Sequence, residues 1–149
     1  MTATGHAIIG TVIAAKIGNP AIALPLAVLS HFAADAVPHW DTATNIKSKG
    51  RQRVIIESFF DVVFSFVLSY VLIVTVFPNT NLTFAFLAII AAQLPDWLMS
   101  PYYFFDIDAF PFNWAYRFQK QFDNRMDKPW GIINQVAILV SIVALAKIF

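Results

Sequence analysis

Apolar runs separated by short polar breaks organise the chain. Residues 5–17 are apolar apart from His6, Thr11 and Lys16, and Gly18-Asn19-Pro20 ends the run. A helix of about 14 residues is roughly 21 Å long, against a hydrocarbon core of about 30 Å. This segment is therefore either a thin span extended by residues 1–4 or the first arm of a short re-entrant hairpin. Residues 21–37 form a second apolar helix with Pro25 near its first turn, where proline is better tolerated. A polar, basic loop covers 42–53, and 54–77 is long enough to cross a bilayer with some tilt. Its first half sets Glu57, Asp61, Ser65 and Ser69 at steps of four, a polar stripe on one helix face. After the uncharged turn 78–81, residues 82–100 predict a fourth helix ending in Gln93, Asp96 and Ser100, and 130–148 a fifth. Residues 101–128 mix aromatic and charged positions and read as a segment lying in the interface plane. The pattern predicts an all-α polytopic membrane helix bundle, about five hydrophobic helices in a single domain over 1–149.

Composition strengthens this reading. Hydrophobic residues make up 58% and charged ones 13%, and the mean hydropathy of +0.65 excludes an ordinary soluble domain. Fifteen phenylalanines, four tryptophans and four tyrosines suit a lipid-embedded bundle with aromatic interface belts. With no cysteine there is neither a disulfide frame nor a thiolate metal site. The first residues lack the basic region of a cleaved signal peptide. No Gly-rich phosphate loop and no Gly-x-Ser-x-Gly are present, and the small basic patch beside the bilayer argues against a nucleic-acid partner.

The informative stretch is 30–41, which closes an apolar run yet carries His31, Asp35, His39 and Asp41. His31 and Asp35 stack on one helix face, four residues apart. Pro38 disfavours helix at Val37, leaving His39 and Asp41 on an exit segment able to fold back over that face. Imidazole and carboxylate at such spacing suit a divalent metal, zinc first, with manganese, iron or magnesium as alternatives. Ionisable groups at membrane depth point to function by default.

Charge distribution sets the topology. With five spans, Lys47, Lys49, Arg51, Arg53, Arg117, Lys120, Arg125 and Lys128 share one side, and only Lys16 and Lys147 lie on the other. The positive-inside rule then gives a cytoplasmic N-terminus in the cytoplasmic (inner) membrane. Every acidic residue and all three histidines fall on that cytoplasmic side. The candidate ligands His6, His31, Asp35, His39, Asp41, Glu57, Asp61 and Asp96 come from starts and ends that antiparallel helices bring together. Several carboxylates with imidazoles also resemble two-metal hydrolytic sites.

The bland readings stand beside these. His31 and Asp35 make a helix-stabilising pair, Glu57 and Asp61 are acids of a first helical turn or two, and Asp96 caps an end. Lys47, Lys49, Arg51 and Arg53 serve topology and anionic-lipid contacts, with Arg51 and Arg53 also candidates to face a substrate phosphate. The aromatic run Trp97, Tyr102, Tyr103, Phe104 and Phe105 reads as interface belt, and Asp106 and Asp108 as loop acids.

Three local pieces carry a family resemblance: Met1-Thr2-Ala3-Thr4-Gly5-His6, Leu29-Ser30-His31-Phe32-Ala33-Ala34-Asp35, and Leu94-Pro95-Asp96. Together the chain resembles the YdjM-like family, inner-membrane proteins described as membrane-bound metal-dependent hydrolases and similar to a zinc-dependent phospholipase C-like group. That resemblance implies His6, His31, Asp35 and Asp96 as metal ligands. Two departures accompany it: the family's His-Arg-Gly-x-Thr-His piece is absent, and Leu-Pro-Asp is followed by Trp97-Leu98 rather than Asp-His.

These readings lead to an expected membrane-embedded metal-dependent hydrolase acting on a lipid phosphoester or ester at the cytoplasmic leaflet. His6, His31, Asp35, Asp61 and Asp96 would hold one or two metals. His39 would be a ligand or proton shuttle and Glu57 the general base. The alternative is a non-enzymatic, metal-stabilised membrane module that relays ions or binds a partner, as an oligomer or with another protein. The apolar far half of each helix disfavours a through-pathway.

Overall fold

Five long helices alternate in direction, and two short ones sit at one end of them. A computed structural model describes residues 1–149: α1 (Ala3–Lys16), α2 (Pro20–Ala36), α3 (Ile46–Lys49), α4 (Arg51–Val76), α5 (Leu82–Phe105), α6 (Phe112–Gln119) and α7 (Trp130–Ile148). Local chemistry sets the starts. Thr2 caps α1 by accepting from the Gly5 N–H, Asn19 caps α2 with Pro20 in its first turn, and Asn81 caps α5. At the other end of α2, Val37 is already extended, as Pro38 demands.

Helix α1 is the axis of the bundle. It packs against α2, α4, α5 and α7 and is mostly buried, whereas the surrounding helices turn large apolar side chains outward. Phe59, Phe60, Phe64 and Val67 on α4, and Ile133, Val136 and Val140 on α7, are exposed, the surface expected of helices that meet lipid. Small side chains bring the inner helices close: Ala14, Ala27, Ala85, Ala88 and Ala92 are buried together. At Gly10 the approach is tightest, since a Cβ there would lie 2.8 Å from the Ala88 carbonyl oxygen and 3.0 Å from the Ala92 Cβ.

Three helices, α4, α5 and α7, are long and apolar enough to cross a membrane. The other two of the five expected hydrophobic helices are shorter: α1 has 14 residues and α2 has 17, about 21 and 25 Å. Boundaries also move. The basic loop at 42–53 contains α3 and the start of α4, and α5 runs beyond residue 100 to Phe105. Pro101 is accommodated there because the Trp97 carbonyl, deprived of an N–H partner, accepts from Ser100 Oγ at 2.9 Å. The expected interfacial segment 101–128 divides into the end of α5, then α6, then a strap over 120–128.

Two elements overshoot α1. Asp61 of α4 lies level with the first residues of α1, bonded to Ala3 and Thr4, so the ten residues from Arg51 to Phe60 project about 15 Å further. The last turns of α5 project similarly past Asp96. The far end is marked by Lys147, whose Nζ bonds the Val76 carbonyl at 3.0 Å, and by Lys16 at the end of α1.

Gly10→Val is expected to lower stability by about 1–3 kcal/mol through overpacking against Ala88. Gly18→Ala, whose added Cβ meets nothing, should leave the thermal midpoint in detergent unchanged. Equal midpoints for the two variants would contradict the α1–α5 packing.

Candidate metal centre

Three imidazoles and two carboxylates meet where α1 begins and α2 ends. His6 and His31 stack face to face with ring centroids 3.8 Å apart. Asp35 lies between them: its Oδ1 is 3.3 Å from His6 Nε2, and its Oδ2 is 3.3 Å from His31 Nε2. Asp96 approaches from α5, with His31 Nε2 at 3.7 Å and His6 Nε2 at 3.9 Å. His39 returns over the same face and sets its Nε2 3.6 Å from Asp35 Oδ1. The Met1 amino group also pairs with Asp35.

Outer contacts fix the rings. His31 Nδ1 lies 2.8 Å from the Ala92 carbonyl and His39 Nδ1 2.8 Å from the Val37 carbonyl. A carbonyl only accepts, so both Nδ1 atoms carry a proton and each ring turns its Nε2 toward the carboxylates, as a lone pair in the neutral form or as a second N–H donor in the imidazolium. The Nε2 atoms of all three histidines are buried without a hydrogen-bond partner. Burial, reinforced by the Met1 amino group, pushes the His39 imidazole below its ordinary pKa and so toward this neutral form. Each Nε2 and the carboxylate oxygens facing it in this dry interior need a proton or a metal cation between them. A backbone-anchored imidazole beside a carboxylate is also the outer arrangement that ligating histidines adopt. The donor set therefore fits a divalent metal. His6, His31 and Asp96 each offer an atom within 4.8 Å of the others, and so do His39, Asp41 and Asp123.

Four of the expected site residues, Asp61, Glu57, Arg51 and Arg53, lie outside these two groups. Asp61 is not in either group, because its carboxylate accepts from the backbone N–H groups of Ala3 and Thr4 at 2.6 and 3.3 Å and from Thr4 Oγ1 at 2.6 Å. It tethers the first turn of α1 as a cap, and it lines the cavity described below. Glu57 sits higher on α4, between Lys49 at 3.1 Å and Arg53 at 2.8 Å, away from the imidazoles and unsuited to act as their general base. Arg53 is thereby occupied, and Arg51 forms a two-pronged pair with Asp106 at 2.6 and 3.2 Å. The hydrogen bond from Arg51 holds the Asp106 carboxyl below the usual carboxylate range. The assigned substrate-binding role of Arg51 and Arg53 finds no support in this placement.

Three further side chains, all from residues 119–125, meet the cluster and were not among the expected site residues. Gln119 Nε2 donates to Asp96 Oδ1 at 2.5 Å. Asp123 Oδ1 lies 3.8 Å from His39 Nε2. Arg125 pairs with Asp41 at 3.0 Å and Asp123 at 2.9 Å. Although burial pulls its pKa down, Asp41 and Asp123 outweigh that and raise it, so the guanidinium is a permanent charge. Packing of Phe32 on Phe118 and Phe122 seats this segment on α2. The available signal was Asp123 and Arg125 themselves, two charges kept close in a chain with few.

A cavity of about 280 Å³ leads to the cluster. Its walls are the overshooting parts of α4 and α5, with Ile55, Phe59, Val62, Trp97 and Phe104, and its polar end is formed by Asp35, Asp41, Asp96, Asp123 and Arg125. Trp97 and Phe104, expected in an interface belt, thus also line this space. The chain matches no protein-family model, no curated protein and no solved structure.

Asp61→Ala should cost about 0.5–2 kcal/mol of stability through the lost cap while leaving divalent-metal binding intact. Glu57→Gln should change neither. Elemental analysis alongside thermal unfolding checks both, and loss of metal binding in Asp61→Ala at retained helicity would restore it as a ligand.

Proposed function

We propose that this chain is a membrane-embedded, metal-dependent hydrolase acting on the phosphoester or ester of a lipid. The observation that carries the reading is the convergence of buried, unpartnered His6 and His31 Nε2 atoms on Asp35 and Asp96 beside an apolar-walled cavity. His6, His31, Asp35 and Asp96 would hold the ion, zinc in preference to manganese, iron or magnesium. When bound, the ion supplies Lewis acidity toward an ester or phosphoryl oxygen and toward water.

The chain's own residues do the rest. Ala92 orients His31 through its Nδ1–H, and Gln119 orients Asp96. Phe59, Val62, Trp97 and Phe104 give an acyl chain an apolar wall and keep bulk water from the reacting ester. Arg125, held by Asp41 and Asp123, presents a fixed positive charge to an anionic headgroup. The concentration of lysine and arginine around this end supports a site at the cytoplasmic leaflet of the inner membrane, with all five long helices embedded. The YdjM-like resemblance of the pieces bearing His6, His31, Asp35 and Asp96 supports the same chemistry.

One observation favours a second reading, a metal-stabilised module that binds a partner without turnover. The same ligands come from three different helices, so an ion would clip α1, α2 and α5 together whether or not a substrate enters.

His31→Ala and Asp35→Ala are expected to lose bound metal and to lower hydrolysis of phospholipids presented in mixed micelles by at least about 100-fold, with helicity retained. Wild-type turnover by both variants overturns the hydrolase. Metal bound by the wild type and lost in the variants, with no turnover of phospholipids or lipid esters and a metal-dependent melting midpoint, selects the partner-binding module.

A further inference from the structure

His39, Asp41 and Asp123 form a second cluster on the other side of Asp35. We propose that these three side chains take a second divalent cation, joined to the first through the Asp35 carboxylate, so that the protein carries a two-metal centre. This rests on the metal site proposed above and extends it to residues outside that site.

The case begins with His39. It is completely buried, its Nε2 has no hydrogen-bond partner, and that atom faces Asp35 Oδ1 at 3.6 Å and Asp123 Oδ1 at 3.8 Å. Its other nitrogen donates to the Val37 carbonyl, so the ring cannot turn away to satisfy Nε2. One potential ligand atom each from His39, Asp41 and Asp123 lies within 4.8 Å of the others. An imidazole with two carboxylates is a donor set for zinc or manganese.

The cluster is built from backbone, not from chance proximity of loose chains. The His39 N–H donates to the Asn124 carbonyl at 3.1 Å, and the Met126 N–H donates to the His39 carbonyl at 2.7 Å. The Asn124 N–H donates to the Asp35 carbonyl at 3.0 Å. These bonds lock the strap to the exit of α2 and bring Asp123 into register with His39. Gly131 permits the arrangement, because a Cβ there would lie 2.3 Å from the Met126 carbonyl oxygen and 2.9 Å from the Trp40 nitrogen. Thr44 Oγ1 and Arg125 then hold Asp41, at 2.8 and 3.0 Å.

Position favours two ions. Asp35, Asp41, Asp96 and Asp123 gather in one half-buried place, faced by Arg125 and the Met1 amino group. Asp35 is the shared member: its Oδ1 lies near His6 and His39 and its Oδ2 near His31. A carboxylate between two imidazole groups in this way bridges paired ions, and such pairs clamp both the attacking and leaving oxygens of an ester displacement. The second position lies at the polar end of the cavity with Asp123 and Asp41 in its lining, where a headgroup would arrive.

The test uses the full chain in nanodiscs, stripped of metal and reloaded with Mn²⁺ alone. Elemental analysis should give two ions per wild-type chain, and electron paramagnetic resonance should show exchange coupling between ions about 3.5–4 Å apart. Asp123→Asn and Asp41→Asn should each fall to one ion and lose the coupling. A single uncoupled ion in the wild type, kept by both variants and lost in His31→Ala, overturns the second position and leaves the hydrolase reading standing. No bound Mn²⁺ or Zn²⁺ in the wild type overturns both. The wild-type spectrum decides the matter even where a variant fails to fold.

Discussion

Everything at the working end of this bundle answers to one buried carboxylate. Asp35 is almost inaccessible, and an ionised group at that depth needs opposite charge or donors on every side. Its surroundings are recruited from far apart in the chain: the Met1 amino group and His6 from the beginning of α1, His31 one helical turn earlier on α2, and His39 from the exit segment, while Asp96 of α5 faces the same imidazoles from the other side. Each of these elements must end or begin at the same level, and the lengths and caps of the helices are consistent with that demand. The Thr2 cap, the Asp61 tether and the Gln135–Thr2 bond at 3.0 Å all pin the first turn of α1. A shift of that turn would carry His6 out of reach of Asp35.

Stability and chemistry are separated along the bundle. Away from the cluster, packing is by alanine and glycine inside and by large apolar side chains outside, with no ionisable group in the inner core. Near it, polar side chains are locked in pairs, and the pairs differ in what they accomplish. Lys49–Glu57–Arg53 and Arg51–Asp106 are peripheral and partly or fully exposed, so they contribute little to stability. Arg125 with Asp41 and Asp123 is better shielded and stands at the cavity.

How much of this was legible depended on whether a residue's partner is near in sequence. His31 and Asp35 are four apart on one helix, and Pro38 sets where that helix stops, so their convergence with His39 could be read from local rules. His6 and Asp96 followed from alternating helix direction, since ends that alternate must meet. Asp61 was harder. A stripe at steps of four shows that a side chain faces inward but not whether it meets an ion or, as here, the free N–H groups of a helix start. Glu57 was readable in hindsight, because Arg53 lies four residues earlier on the same helix. Asp123 and Arg125 offered only their charges: their placement comes from Phe118 and Phe122 packing on Phe32 and from backbone bonds to Asp35 and His39, which have no periodic signature. Of the five expected crossings, only α4, α5 and α7 have the length and composition for one, since apolar character in α1 and α2 serves contact with other helices as much as contact with lipid.

The central position of α1 has a consequence for how the protein is made. The ribosome delivers this helix before α4 and α5, yet most of it is buried, chiefly against those later helices. Too short to cover the bilayer thickness comfortably and carrying Lys16 at its tip, α1 has no stable place in lipid by itself. Biogenesis must therefore hold the α1–α2 pair at the insertion machinery, or at the membrane surface, until the longer helices enter and close around it. The buried cluster cannot close until residues 119–125 have been made, long after its first histidine, His6.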